Sequence, residues 1–192
     1  MARPREFDAE AVIDAAVDDF WSSTYASTST DDLCRSTGLS RSSLYNAFGS
    51  KRDLYLSAIR RYAEMKQGER AALLESEDTG RALLEQVIAA TLDTQWSHPE
   101  RRACFGINAC LDEGVDDAEI AASLERNARS YDEMLTEVIR RGQSDGSVRA
   151  DLPATDLGRM VHSFVDGLQV RTRIRPSREE QRRDIKTVLA LL

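Results

Sequence analysis

The chain has 192 residues, 41% of them apolar, with 10 glycines and 4 prolines, which is enough for one or two compact units around a real core. A formal charge of −7 argues against a broadly basic nucleic-acid binder. Three irregularly spaced cysteines, Cys34, Cys104 and Cys110, make no disulfide framework and agree with a reducing compartment. No apolar run approaches the roughly 18 residues of a membrane span, so no membrane partner is expected. The opening residues MARPREFDAE lack an apolar signal core, so the expected location is cytoplasmic.

Residues 1–7 read as an arm whose Arg3 and Arg5 can reach a groove or a phosphate. From Asp8 a first helix places Val12, Ile13, Ala16 and Phe20 on one stripe of 3.6-residue period. Its Phe20 and Trp21, with Tyr25, are the expected core beneath the next two helices. The stretch TSTDDLCRSTGLSRSSLYNAFGSKRDLY, residues 28–55, carries three helix starts. Thr28 and Asp31 form the Ser/Thr-x-x-acid pattern that satisfies the first N–H groups of a helix. Gly38 supplies a positive-φ exit, and Ser40 caps a second helix, Arg41 to about Phe48, with Leu39 and Leu44 as its staple pair. Leu44 and Phe48 turn inward, leaving Arg41, Ser42, Ser43, Tyr45 and Asn46 on other faces. Ser50 and Asp53 repeat the capping pattern at the start of a long helix.

Helix, glycine turn and a short helix rich in Arg, Ser, Tyr and Asn form the pattern of a DNA-reading helix-turn-helix. The candidate DNA contacts are Thr28, Arg41, Ser42, Ser43, Tyr45, Asn46 and Lys51. Arg41, Ser42 and Asn46 suit base edges, because Arg pairs with guanine and Asn with adenine. Thr28, Tyr45 and Lys51 suit phosphates. Even the segment up to Lys51 is acidic, with five cations against eight carboxylates. DNA binding must therefore rest on a local face, where Arg3, Arg5, Arg41, Lys51 and Arg52 gather, and must fall steeply with salt.

The wording of this stretch closely resembles the signature of TetR-family transcriptional regulators. The resemblance rests on Thr28-Ser29, Leu33, Gly38-Leu39-Ser40-Arg41, Leu44-Tyr45, Phe48, Ser50-Lys51 and Leu54. It departs from the family at Asn46, where histidine is common, and at Ser42, where glycine is common, which leaves the operator sequence open.

Downstream, the long helix continues through Ile59, Tyr62 and Met65 towards Leu74 and breaks at residues 77–80. A helix from Arg81 to about Trp96 ends at His98-Pro99. A short uncharged segment, Ala103 to Leu111, precedes a helix from about Asp117 to Arg141, closed by a turn from Gly142 to Ser147. Two final helices follow Pro153 and Ser177. The reading is an all-α chain of about nine helices. An N-terminal three-helix helix-turn-helix domain, residues 1–50, precedes a helical ligand-binding and dimerisation domain, residues 51–192.

The resemblance implies a homodimer paired through the last two helices on a palindromic double-stranded operator, and a small-molecule effector among the middle helices. A repressor is the expected role. Trp96, Phe105, Asn108, Tyr131, Met134 and Phe164 are the candidate effector-lining residues, aromatic or Met groups with a few polar atoms. A thiol-sensing variant of the same regulator is the alternative, in which Arg101 and Arg102 activate Cys104 with Cys110 as its partner. A DNA-binding protein without ligand control is a further rival. His98 and His162 sit in no catalytic motif, and no nucleophile motif or phosphate-cradling loop occurs, so no enzyme and no cofactor is expected. His98, Cys104 and Cys110 do not make a recognisable metal-ligand set.

Overall fold

The computed structural model describes residues 7–97, 102–111 and 116–192. Among them lie nine α-helices and no strand: α1 Ala9–Ser22, α2 Thr30–Thr37, α3 Arg41–Phe48, α4 Lys51–Leu74, α5 Gly80–Ser97, α6 Phe105–Cys110, α7 Ala118–Asp145, α8 Ala154–Ile174 and α9 Arg178–Leu191. None of these helices is long and apolar enough to cross a membrane. The arm carrying Arg3 and Arg5 lies outside the described residues, as do His98, Pro99 and Arg101. The chain gathers into two compact units, Met1–Met65 with Asn108–Leu124, and Lys66–Ile107 with Glu125–Leu192.

The first unit reaches past residue 50 because the opening turns of α4 belong to its core. Leu54, Tyr55 and Ile59 are essentially fully buried. Phe20 meets Tyr55 edge-on at 4.8 Å, Tyr25 lies 4.8 Å from the same ring, and Trp21 packs edge-on against Tyr62 at 5.3 Å. Each such aromatic removes apolar surface worth roughly 1.5–3 kcal/mol. Two ion pairs bind the helices further: Arg61 grips both oxygens of Asp14 at 2.7 and 3.1 Å, and Arg52 grips Asp117 at 2.5 and 2.7 Å.

Asp117 also caps α7, accepting from the N–H groups of Glu119 and Ile120 at 3.0 and 3.2 Å. The Arg52 guanidinium, helped by those two N–H groups, holds its carboxyl well below the ordinary range. A lowered folded-state value contributes stability above the ordinary carboxylate range and loses it as pH falls. Asp117→Asn should therefore lower the urea midpoint at neutral pH, with the gap to the parent closing on acidification below about pH 4. A gap that stays constant down to acid pH would show that the charge of Asp117 contributes nothing.

The second unit is built on one apolar cluster. Leu84, Ile88 and Leu92 of α5 meet Leu135, Val138 and Ile139 of α7, Val161 and Val165 of α8, and Ile185 and Leu189 of α9. Polar side chains tie these helices where they cross. Gln95 donates to the Gln169 carbonyl at 2.8 Å, and Gln169 accepts from the Cys104 N–H at 2.6 Å. The guanidinium of Arg81 reaches the carbonyls of Ser147 and Leu189. Ser177 caps α9 by accepting from the Glu180 N–H.

Helix α7 runs to Asp145 and does not stop near Arg141. Gly142 stays within the helix because its bare Cα packs on Val148: an added Cβ would lie 2.4 Å from Val148 Cγ2. The turn is made by Gly146, at φ 76°.

Candidate nucleic-acid interface

Three short-range devices shape the first unit's exposed face. Ser29 caps α2, accepting from the Asp32 N–H at 3.1 Å while the Asp32 carboxylate takes the Ser29 N–H at 3.0 Å. The cap is thus one residue later than the Thr28–Asp31 register. Thr28 is 2% exposed, and its hydroxyl donates to the Thr24 carbonyl at 2.8 Å. It packs inside the turn before α2, where it offers a phosphate nothing. The residue at the helix start is Thr30, not singled out from the sequence although Ser29…Asp32 carries the same capping pattern.

Gly38 leaves α2 at φ 70°, and Ser40 caps α3 by accepting from the Ser43 N–H at 3.1 Å, both as expected. Leu44 is buried to 1% exposure and Phe48 half-buried, so α3 is fixed through one side. Arg41, Ser42, Tyr45 and Asn46 are exposed and span an arc of about 140° at 100° per residue. Ser43 is half-buried, with its hydroxyl 2.8 Å from that of Ser40. The Tyr45 hydroxyl lies 3.1 Å from Thr30 Oγ1, joining the exposed arc to the start of α2. Lys51 places its ammonium 4.4 Å from the centroid of the Tyr25 ring.

Several arginines of this unit stand against carboxylates. Arg41 donates to Asp31 at 3.0 Å, Arg35 pairs with Asp32, and Arg60 with Glu119. Arg52, expected among the docking cations, is instead committed to Asp117 and Glu119. Among the described residues, Arg41 and Arg52 are thus engaged by carboxylates, and Arg41 must exchange partners before it can read a base.

The six residues considered for an effector are divided between the two units. Asn108 belongs to the first unit and the other five to the second. Trp96 donates its indole N–H to Gln181 at 2.7 Å, in a cleft between α5 and α9. Phe105 is fully buried, while Met134 and Phe164 flank the apolar cluster. Tyr131 stands among titratable groups on three sides. The Arg70 guanidinium lies 3.9 Å above its ring, its hydroxyl is 3.5 Å from that of Thr91, and His162 meets it edge-on at 4.7 Å. His162 Nδ1 is 2.7 Å from Asp132, and its Nε2 faces Asp166 at 3.6 Å. Burial raises the Asp166 carboxyl, with His162 opposing and Asp132 adding to the rise.

Cys104 does not have the activated thiol that two preceding arginines suggest. Burial pushes it up to about 11, against the Ile107 N–H that donates to its sulfur at 3.3 Å. Asp166 adds to the rise and Arg70 opposes it. Cys110 is exposed and falls in the other unit.

A capped α2, a positive-φ glycine and a short α3 with one buried and one polar exposed side define a helix-turn-helix DNA-binding protein. Residues 12–58 match the family of bacterial regulatory proteins, tetR family, and residues 80–192 match the C-terminal part of BetI-type transcriptional repressors. The chain belongs to the TetR family of DNA-binding transcriptional regulators. It is 27% identical over 190 residues to the HTH-type transcriptional repressor ComR of Escherichia coli, spanning 98% of this chain and 90% of that relative. It is 28% identical over 151 residues to the uncharacterized HTH-type transcriptional regulator YezE of Bacillus subtilis, spanning 79% and 78%. A cysteine-substituted form of the TetR-family regulator CifR, complexed with 26-base-pair operator DNA, superposes with a TM-score of 0.85. That pair is 25% identical and covers 98% of both chains.

Proposed function

We propose that this regulator is a homodimeric repressor that reads a palindromic operator through α3 and is released by a small-molecule effector. The observation that carries the proposal is the exposed arc of Arg41, Ser42, Tyr45 and Asn46, linked to Thr30 at the start of α2. Arg41, Ser42 and Asn46 take the base edges, while Tyr45, Thr30, Lys51 and the first N–H groups of α2 take phosphates. The operator-bound CifR complex and the repressor role in the name of ComR support this reading. Selection from a random duplex pool with the purified protein tests it. Enrichment of a two-fold symmetric site is expected, and a pool that never converges would sink the proposal.

Dimer formation is supported by α8, which keeps an apolar stripe at the surface. Met160 is 44% exposed, Val170 42% and Ile174 80%, and they recur with Gly167 at about 3.5-residue spacing. A Cβ at Gly167 would meet nothing within 4 Å, so a second helix can approach closely there. Val170→Glu with Ile174→Glu should yield monomers in sedimentation experiments. Operator affinity should fall about a hundredfold or more, because one head alone loses the second half-site. A dimer that survives this change would place the interface elsewhere.

Asp31 gives a test of the electrostatics. Its carboxylate holds Arg41 and faces the same side as a docking phosphate. Asp31→Asn should raise affinity for any duplex by roughly three- to tenfold at low salt, the gain fading as salt screens exposed charge. The gain should be nearly the same for operator and random DNA, because the repulsion removed acts on phosphates. Unchanged low-salt affinity would mean that Asp31 lies away from the DNA.

For the effector, the neighbourhood of Tyr131 supports a site in the second unit, since Arg70, His162 and Asp166 set polar groups beside a buried aromatic ring. An effector that prefers one arrangement of these groups shifts the population away from the DNA-competent form. The thiol-sensing alternative loses its premise with the raised thiol of Cys104.

A further inference from the structure

Helices α5 and α9 lie side by side in the second unit, and a cleft of about 250 Å³ opens between them. Its shape follows from one small residue. On α5, Glu85, Ala89 and Asp93 stand one turn apart; on α9, Arg178, Arg182 and Lys186 do the same. Asp93 reaches Arg178 at 3.9 Å, whereas Ala89 offers Arg182 no side chain to meet. Neither Arg182 nor Lys186 has a hydrogen-bond or ion-pair partner among the described residues. The lining thus holds three cations against two carboxylates, with the two unpartnered cations a single turn apart.

Beneath this rim the floor is apolar, formed by the buried Leu92 and Ile185. The wall is fixed. The Trp96 indole donates to Gln181 Oε1 at 2.7 Å, and Gln181 in turn donates to the Thr172 hydroxyl at 3.0 Å, so the ring is held back from filling the gap. Arg178 stacks over the same ring at 4.9 Å, which keeps it from crossing the cleft. Arg182 and Leu191 are nine residues apart, two and a half turns, so the cleft faces away from the exposed end of α9 that bears Leu191. Pairing of two chains over Leu191 would leave the cleft open.

We propose that this cleft binds a small organic anion, a carboxylate or a phosphate monoester carrying a compact apolar body. Two cations at one end, an apolar floor and a rigid indole wall match that class, and the volume has room for roughly ten non-hydrogen atoms. Glu85 at the rim disfavours polyanions, so one anionic group per ligand is the fit.

The test titrates the full-length protein with sodium benzoate, phenyl phosphate and the neutral benzamide at constant ionic strength, by calorimetry and thermal denaturation. At least one anion should saturate one site per chain and raise the melting temperature, with benzamide weaker by about tenfold or more. The better of the two anions identifies the head group. Arg182→Gln with Lys186→Gln should weaken that anion by at least about tenfold while leaving the ligand-free melting temperature unchanged. Ala89→Leu should block binding by filling the gap. No saturable binding of either anion, equal binding of benzamide, or binding retained in the charge-neutral double variant overturns the proposal.

Discussion

Arg41→Ala is expected to weaken operator binding by about two to four orders of magnitude. An Arg contact to a base edge is worth roughly 1–3 kcal/mol, and a two-fold dimer loses it twice. The substitution leaves the fold intact, because Arg41 is exposed and its only ion-pair partner among the described residues is the equally exposed Asp31. Its removal also leaves the Asp31 carboxylate uncompensated near the phosphates, which adds to the loss. Tyr45→Phe removes one hydroxyl that neighbours Thr30, and should cost about 0.5–1.5 kcal/mol per head. The two changes differ in kind. Loss of a base contact relaxes sequence preference at one position of each half-site, whereas loss of a phosphate contact weakens all duplexes alike and flattens the salt dependence. Fluorescence anisotropy with operator and scrambled duplexes over a range of salt separates them. If both variants keep parental affinity at moderate salt, α3 is not the reading helix.

The order of the helices and most of their caps were legible because these signals are local. Ser40, Gly38 and Ser50 act within four residues of themselves, and the apolar stripe of α8 needs no partner to be seen. Where two local signals overlapped, the sequence did not choose. Thr28…Asp31 and Ser29…Asp32 both fit the capping pattern. The choice falls to the later register because Thr28 packs inside the preceding turn, with its hydroxyl on Thr24. Arg52 shows the same limit over a longer range. As an exposed-looking cation beside Lys51 it suggests DNA, yet its partner Asp117 lies 65 residues away.

The effector residues illustrate a different limit. Helical spacing tells which side chains share a face of their own helix, but not which neighbour that face meets. Trp96 and Tyr131 therefore looked alike, although one walls the α5–α9 cleft and the other stacks under Arg70. Cys104 differs from its expectation for a related reason: sequence shows neighbouring charge but not burial, and burial is the largest influence on this thiol. The cleft itself had no signal before the fold, since it exists only where Ala89 of one helix faces Arg182 of another.

Gly80→Ala should destabilise the protein by about 3 kcal/mol, near the upper end of what an overpacked contact costs. A Cβ at Gly80 would lie 2.1 Å from the Gly142 backbone nitrogen and 2.8 Å from the Val138 carbonyl oxygen. Both obstacles are main-chain atoms of α7, so no rotamer change relieves them. Backing α5 away would stretch the bond from the Gly80 N–H to Asp145, now 2.7 Å, and open the cluster of Leu83 and Leu84 against Val138. The same substitution at Gly68 on α4 meets nothing within 4 Å. There the gain in helix propensity, roughly 0.5–1 kcal/mol, stands alone, and the protein should become more stable. Thermal denaturation should therefore show opposite signs for one chemical change: a fall of about 6–12 °C for Gly80→Ala and a rise of about 2 °C for Gly68→Ala. A melting temperature for Gly80→Ala within a degree or so of the parent, against that expected fall, would mean that α5 and α7 are not in direct backbone contact.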